Sequence, residues 1–305
     1  MLTTVRQDIA FVGTGLHSGR PVRMVVRPAA AGGIRFRRTD VTDRDNIIPA
    51  RYDLVSDTTL NTRLTNAAGV SIQTAEHIMA ALAGTGVWNA VIDVDGPEVP
   101  IMDGSARRFV QKIIAGGLRH LPGPMRAIRV LQPVRVFQDD AWAELAPAPA
   151  LRIAFEIDFD DEAIGRQLQA LDMVNGVFVR ELADCRTFCR RSDVEVTQAQ
   201  GLALGGSLDN AIVVDGGEIL NPEGLRRPDE FVRHKMLDAL GDLALAGAPV
   251  IGSYRGVRAG HGVTNALLRR LFATQGAWAE VALDSEEAGQ LPGAGVVAAD
   301  LLRAG

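Results

Sequence analysis

The chain has 305 residues, of which 47% are hydrophobic and 23% are charged, a composition typical of a folded globular protein. The length predicts two domains, because chains beyond about 250 residues usually divide. A formal charge of −5 provides no basic field for a polyanion, so we expect no nucleic-acid partner.

Neither export nor membrane insertion is expected. The first ten residues lack the basic and apolar regions of a secretory signal. The most apolar stretch, residues 243–251, is too short to cross a bilayer, so we expect no transmembrane segment. The chain's two cysteines, Cys185 and Cys189, do not form a C-x-x-C pair, which argues against a disulfide framework or a thiolate metal site. These features together predict a cytoplasmic protein.

The first half begins with short β-branched segments, such as residues 22–26 and 34–36, and these predict a sheet. Residues 74–84 predict a helix with Thr74 as its N-cap and Gly84 as its stop. A strand over 90–94 and a second helix over 105–115 follow. Residues 121–124, Leu-Pro-Gly-Pro, have the composition of a linker, so we place a domain boundary after residue 121.

The second half repeats this order, with strands over 128–136 and 151–159, then a long helix over 228–247 and another strand. The helices of both halves contain His-x-Met, which makes an internal duplication as plausible as its absence. Strands followed by helices within each half indicate an α+β protein. Residues 13–19 do not fit the G-x-G-x-x-G phosphate motif, and they predict a hairpin turn instead.

The long helix has three polar residues on one face. His234 and Asp238 are four residues apart, and Asp242 lies one turn further. Apolar residues occupy the adjoining face, which places these side chains at the edge of a core where buried carboxylates need partners. Taken alone, His-x-x-x-Asp is more typical of a simple intrahelical contact than of a metal site.

The presence of His77 favours a metal site over a simple intrahelical contact. Two imidazoles and one carboxylate with an open position are the ligand set of catalytic Zn²⁺ and also of non-haem Fe(II). Glu76 is then a candidate general base, although a Glu at a helix start is often only a first-turn acid favoured by the helix dipole. His261, flanked by glycines, predicts a loop residue that Asp242 could orient as a proton donor, or else an ordinary surface histidine.

Motifs spread over the whole chain resemble the UDP-3-O-acyl-N-acetylglucosamine deacetylase family. They lie at residues 74–77, 100–105, 186–188, 204–207, 209–215, 229–238 and 260–261. The resemblance covers about residues 4–271, and the His-Lys-Met-Leu-Asp segment is its most specific part. It implies a hydrolase that removes the N-acetyl group of UDP-3-O-acyl-N-acetylglucosamine, the committed step of lipid A synthesis in Gram-negative bacteria.

The resemblance also implies residue roles. One Zn²⁺, or alternatively Fe²⁺ in the cell, would be bound by His77, His234 and Asp238. Glu76 would act as general base on the attacking water, and His261, held by Asp242, would protonate the leaving amine. The hydroxyl of Thr187 would stabilise the oxyanion together with the metal.

The implied fold consists of two α+β domains of similar topology, residues 1–121 and 122–305. Each is a small β-sheet with two helices, and the helix layers pack together between the sheets. A βαβ insert at about residues 190–214 of the second domain would form an apolar passage for the substrate's acyl chain, although its small and β-branched residues equally suit an ordinary sheet interior. The implied substrate-binding residues are His17, Phe188, Val194, Ala203, Ser207, Ala211, Val213 and Lys235.

Cys189 and Arg191 depart from the family pattern, so the sequence does not predict the preferred acyl length. We expect a monomer. Two other classes of protein share part of the pattern. An Fe(II) oxygenase would use the same ligands and would need neither Glu76 nor His261. A structural zinc site usually has four protein ligands, whereas only three are evident in this sequence.

Overall fold

The computed structural model describes residues 2–302. The elements of the first half are β1 (Thr3–Val5), β2 (Ile9–Thr14), β3 (Pro21–Pro28), β4 (Ile34–Arg38), β5 (Ile47–Pro49), β6 (Val55–Asp57), β7 (Arg63–Thr65), β8 (Ser71–Ile72), α1 (Glu76–Thr85), β9 (Ala90–Val94), α2 (Arg107–Gly116) and β10 (Leu118–His120). Those of the second half are β11 (Arg126–Val130), β12 (Val134–Gln138), β13 (Ala141–Ala146), β14 (Arg152–Asp158), β15 (Arg166–Asp172), α3 (Val177–Glu181), β16 (Phe188–Arg190), α4 (Arg191–Ala199), β17 (Ile212–Asp215), β18 (Glu218–Ile219), α5 (Glu230–Ala244), β19 (Val250–Ile251), β20 (Ser253–Val257), α6 (His261–Ala273), β21 (Trp278–Ala282) and α7 (Ser285–Gly289).

The two halves contain five-stranded sheets of the same topology. Their strand orders are β2-β3-β9-β4-β5 and β12-β13-β20-β14-β15. In each sheet the last strand in chain order lies between the second and third, antiparallel to one and parallel to the other. A helix precedes and another follows that strand in both halves. The repeated order supports a duplication and confirms the α+β class, while the exact boundary after residue 121 stays a prediction.

Helices α1 and α5 pack against each other between the sheets. Every residue of α1 is buried, and α5 buries all but two of its residues. Gly241 permits the close approach, because a Cβ at this position would overlap the backbone carbonyl of Glu76. The contact therefore places the first turn of α1 against the middle of α5.

We expect Gly241→Ala to destabilise the fold by about 1–3 kcal/mol, because the added methyl group must separate two packed helices. The free energy of unfolding from urea titration measures this effect. Gly289→Ala is the matched control, because a Cβ on this residue of α7 would meet no atom of the described residues within 4 Å beyond its neighbours and its own helix backbone. Equal stabilities of the two variants would contradict the packing described for α1 and α5.

The predicted ends of α1 were wrong at both positions. Thr74 precedes the helix with φ +57°, and its hydroxyl donates to Glu98 instead of capping α1. Gly84 lies inside the helix, where its missing side chain leaves room for the ring of Phe178. The helix ends before Gly86, which adopts the left-handed φ of +83°. Tertiary contacts that local sequence does not reveal therefore decide the roles of both residues.

The predicted βαβ insert is present as β16, α4 and β17. Its two strands pair in parallel with Phe188 opposite Ile212, and α4 connects them. None of the residues of α4 is fully buried, so this helix covers the outside of the insert.

The hairpin predicted at residues 13–19 is also present, joining β2 to β3. Within residues 2–302, no helix is both long and apolar enough to cross a membrane.

Candidate metal and catalytic centre

Three possible metal ligands converge where α1 meets α5. His77 lies in the first turn of α1, and His234 and Asp238 follow each other on one face of α5. One ligand atom from each residue lies within 4.8 Å of the other two. Oδ1 of Asp238 is 3.3 Å from Nε2 of His234 and 3.6 Å from Nε2 of His77. The packing of two helices from different halves thus assembles the predicted triad.

The donor set fits a metal ion. Oδ1 of Asp238 is buried and has no hydrogen-bond partner among the described residues, although it lies beside two imidazoles. Nδ1–H of His234 donates to the carbonyl of Cys185 at 3.0 Å, which orients Nε2 toward Asp238. Burial lowers the pKa of His234 to about 4, so its imidazole is neutral at pH 7, the form that binds metals. Two nitrogens and one carboxylate suit Zn²⁺ or Fe²⁺.

Glu76 is buried directly beside these possible ligands. Its Oε2 accepts a hydrogen bond from the backbone N–H of Thr62 at 3.0 Å. Burial raises the pKa of the Glu76 carboxyl, although the nearby His261 and His77 oppose the shift. A carboxylate with a raised pKa is a stronger base than one in water, which is what proton transfer from a water molecule near neutral pH requires.

His261 faces Glu76 from the second half. Its Nδ1–H donates to Oδ2 of Asp242 at 2.8 Å. Burial alone would lower the pKa of His261, but the adjacent Asp242 carboxylate raises it to about 9. His261 therefore carries a proton at neutral pH, as a general acid must. The expected loop position was wrong: His261 is the first residue of α6, whose buried residues recur at helical spacing from Val263 to Leu271.

Comparison with known proteins agrees with this geometry. Residues 2–273 match the family of UDP-3-O-acyl N-acetylglycosamine deacetylases. The chain belongs to this family. It is therefore a deacetylase, which is a hydrolase and a metalloenzyme. This family membership excludes the two other classes considered from the sequence, an Fe(II) oxygenase and a protein with a structural zinc site.

Curated relatives match nearly the full length of this deacetylase. The UDP-3-O-acyl-N-acetylglucosamine deacetylase of Phenylobacterium zucineum is 54% identical over 276 residues, which cover 90% of this chain and 94% of the relative. The enzyme of the same name from Vibrio cholerae is 48% identical over 289 residues, covering 94% of both chains. That of Pasteurella multocida is 46% identical over 288 residues, covering 93% and 94%.

The segment of the deacetylase that contains Thr187 is held at both ends. The backbone N–H of Thr187 donates to Gly104 of the first half at 2.8 Å, and its carbonyl accepts from Ile212 of the insert at 2.8 Å. The ring of Phe188 lies edge-on to His234, with centroids 6.4 Å apart. Thr187 and Phe188 are therefore fixed at the border between the possible metal ligands and the insert.

Lys235 is bound to Asp238, one of the three possible metal ligands. Its ammonium donates to Oδ2 of Asp238 at 2.7 Å, and only 19% of the side chain is exposed. Burial alone would lower the pKa of Lys235, but the carboxylates of Asp238, Asp242 and Glu76 raise it. An ordinary exposed helix lysine is thus excluded, because most of the side chain is buried beside the possible metal ligands.

The remaining predicted substrate residues lie in the insert and in the hairpin of the first half. Ala211 is buried, Val194, Ala203 and Val213 are half-buried, and Ser207 is exposed. The backbone N–H of Ala203 donates to Nδ1 of His17 at 3.3 Å, which joins the insert to the hairpin. His17 is buried, and burial lowers its pKa. Their contact with an acyl chain stays a prediction.

Two buried residues at the site escaped the sequence analysis. The carboxylate of Glu98 accepts hydrogen bonds from the N–H groups of His17 and Ser18 and from the hydroxyl of Thr74. Thr62 bonds to both Glu76 and Asp242. Neither residue stands at a regular spacing from its partners, and no local signal in the sequence could have identified these contacts.

Proposed function

We propose that the chain hydrolyses the N-acetyl group of a UDP-3-O-acyl-N-acetylglucosamine, using one Zn²⁺ bound by His77, His234 and Asp238. The amide bond breaks, water supplies a hydroxyl to the acetyl carbon and a proton to the nitrogen, and acetate and a free glucosamine amine result. The convergence of three ligand atoms within 4.8 Å, beside a buried glutamate and a protonated histidine, supports this proposal most strongly.

A cation bound by the triad would supply Lewis acidity, which polarises the acetyl carbonyl and lowers the pKa of water. Glu76 accepts the proton of the attacking water. Its position follows from the first turn of α1 and from the bond to Thr62, which fixes one carboxylate oxygen. The surrounding burial excludes bulk water and keeps the carboxylate basic.

His261 donates a proton to the departing amine. Because Nδ1–H is bound to Asp242, the proton that can leave is the one on Nε2. The Asp242 carboxylate also stabilises the imidazolium before transfer. The hydroxyl of Thr187 donates to the oxyanion that forms on the acetyl carbonyl. In this proposal the ammonium of Lys235 contacts the anionic nucleotide-sugar, and His17 lies beside the substrate.

The pH dependence of kcat/KM is expected to follow a bell. Activity rises with pH as Glu76 loses its proton, at a pH above the ordinary range for glutamate. Activity falls again near pH 9, where His261 loses its proton. His261→Gln should lower kcat by about 10²–10⁴ and remove the basic limb. A basic limb that persists unchanged in this variant would contradict the role of His261.

The insert is proposed to receive the acyl chain through Val194, Ala203, Ser207, Ala211, Val213 and Phe188. We expect Ala211→Phe to lower kcat/KM for long-acyl substrates by about tenfold or more relative to short-acyl ones, since each methylene group that is not buried costs about 0.8 kcal/mol. Val196→Phe on α4 is the control, because Val196 is 59% exposed. Equal losses for both chain lengths in Ala211→Phe would contradict the passage.

We also propose that the protein is a cytoplasmic monomer. Cys185 and Cys189 are both free thiols, which is consistent with a reducing compartment.

The experiment that tests the function measures acetate and new primary amine from acylated UDP-N-acetylglucosamine, with UDP-N-acetylglucosamine that lacks the acyl chain as the comparison. Equal amounts of both products from the acylated substrate are expected. Absence of both products at all metal loadings would overturn the proposal.

A further inference from the structure

Thr62 lies between the two carboxylates to which we assign proton handling. It immediately precedes β7 and is 2% exposed. Its hydroxyl donates to Oδ1 of Asp242 at 2.6 Å, and its backbone N–H donates to Oε2 of Glu76 at 3.0 Å. A single residue of the first half thus contacts the side chains of both α1 and α5.

With the bond from Thr62, both oxygens of the Asp242 carboxylate accept a hydrogen bond. Oδ2 of Asp242 accepts from Nδ1 of His261 at 2.8 Å, while Oδ1 accepts from the hydroxyl of Thr62. A carboxylate held at both oxygens cannot rotate freely about its last bond. Its plane, and with it the direction of the His261 ring, is therefore defined by Thr62.

The backbone of Thr62 holds the beginning of α1 in the same way. Besides the bond from its N–H to Glu76, its carbonyl accepts the N–H of Ala75 at 3.3 Å. Asn61 fixes the segment further, because its side chain accepts from the N–H of Thr74 and donates to the carbonyl of Thr59. The position of the Thr62 hydroxyl is therefore set before any substrate binds.

We propose that Thr62 is a positioning residue that holds Glu76 and the Asp242–His261 pair in one geometry across the two halves of the protein. The inference rests on the proposed function, since it concerns the placement of its base and its acid. Proton transfer depends on the positions of donor and acceptor to within about 0.5 Å, so loss of this link is expected to lower kcat while substrate binding is kept.

The test compares Thr62→Val, which keeps the shape and loses the hydroxyl, with Thr62→Ser, which keeps the hydroxyl. We expect Thr62→Val to lower kcat about 10–100-fold with KM and metal content unchanged, and Thr62→Ser to stay within about threefold of the parent. Thr85→Val is the control, because within residues 2–302 the buried hydroxyl of Thr85 bonds only to carbonyls of its own helix. Its kcat should equal that of the parent.

A double-mutant cycle separates positioning from general stability. In an Asp242→Ala background, Thr62→Val should change kcat by less than about threefold, because the side chain through which the hydroxyl acts is already absent. Multiplicative losses, or equal kcat values for Thr62→Ser and Thr62→Val, would overturn the proposal. If Thr62→Val does not fold, Thr62→Ala replaces it in the same cycle, and urea unfolding checks that this variant is folded. An inactive parent enzyme would instead refute the proposed function itself.

Discussion

Glu76→Gln is expected to lower kcat by about 10²–10⁴ while the bound metal stays at the level of the parent. Glutamine keeps the size of the side chain and the acceptor for the Thr62 N–H, but it cannot accept a proton from water. The side chain lies outside the three converging ligand atoms, so its change leaves the ligand set complete. Steady-state rates together with metal analysis of the purified variant measure both quantities.

A matched control tests the alternative that Glu76 only stabilises the start of a helix. Glu286 is also an acid in the first turn of a helix, α7, and it is not buried. Glu286→Gln should leave kcat unchanged. If Glu76→Gln kept a rate near that of the parent, or if it lost its metal, Glu76 would be respectively a first-turn acid or a ligand, and the proposed role would be wrong.

The second large effect is expected for Asp238→Ala, which should weaken metal binding by more than about 100-fold and abolish activity at ordinary metal concentrations. The variant loses one of three protein ligands and leaves His77 and His234 without the carboxylate between them. It also frees Lys235 from its ion pair, which brings an unpaired positive charge close to the cation. Metal content by mass spectrometry and equilibrium titration with Zn²⁺ measure the loss.

Asp93→Ala is the control for this experiment. Asp93 is also buried, and it pairs with Arg27 and Arg37 in the sheet of the first half, away from the ligands. Its loss should reduce the free energy of unfolding and leave the metal content unchanged. The metal loss expected for Asp238→Ala is also expected for His77→Ala and His234→Ala. Full metal content in any of the three ligand variants would refute the assignment of that residue.

Local spacing predicted those parts of the fold and the site that depend on a single element. The strand at β9 was predicted at its observed limits, and the shared face of His234 and Asp238 follows from a helical spacing of four residues. The chemistry of two imidazoles and a carboxylate suggested that His77 joins them. Glu76 and His261 were candidates from their places beside these residues and between glycines, and the resemblance to the deacetylase family added Thr187 and the insert.

Contacts between elements distant in the chain could not be predicted in this way. Thr62 and Asp242 are separated by 180 residues, and nothing in the pattern around Thr62 distinguishes it from its polar neighbours. Gly84 has the composition of a helix stop, but the ring of Phe178 requires a glycine there for space. Buried pairs such as Arg186 and Glu230, which fix the segment before Thr187, likewise depend on tertiary packing.

The most direct measurement is a titration of the metal-free protein with Zn²⁺, following acetate release from acylated UDP-N-acetylglucosamine. The site of His77, His234 and Asp238 predicts no activity without metal, a linear rise to one ion per chain, and a plateau thereafter. Fe²⁺ should restore activity with the same stoichiometry. Full acetate release by the metal-free protein, or no release after loading with either ion, would contradict a metal-dependent deacetylase built on this centre.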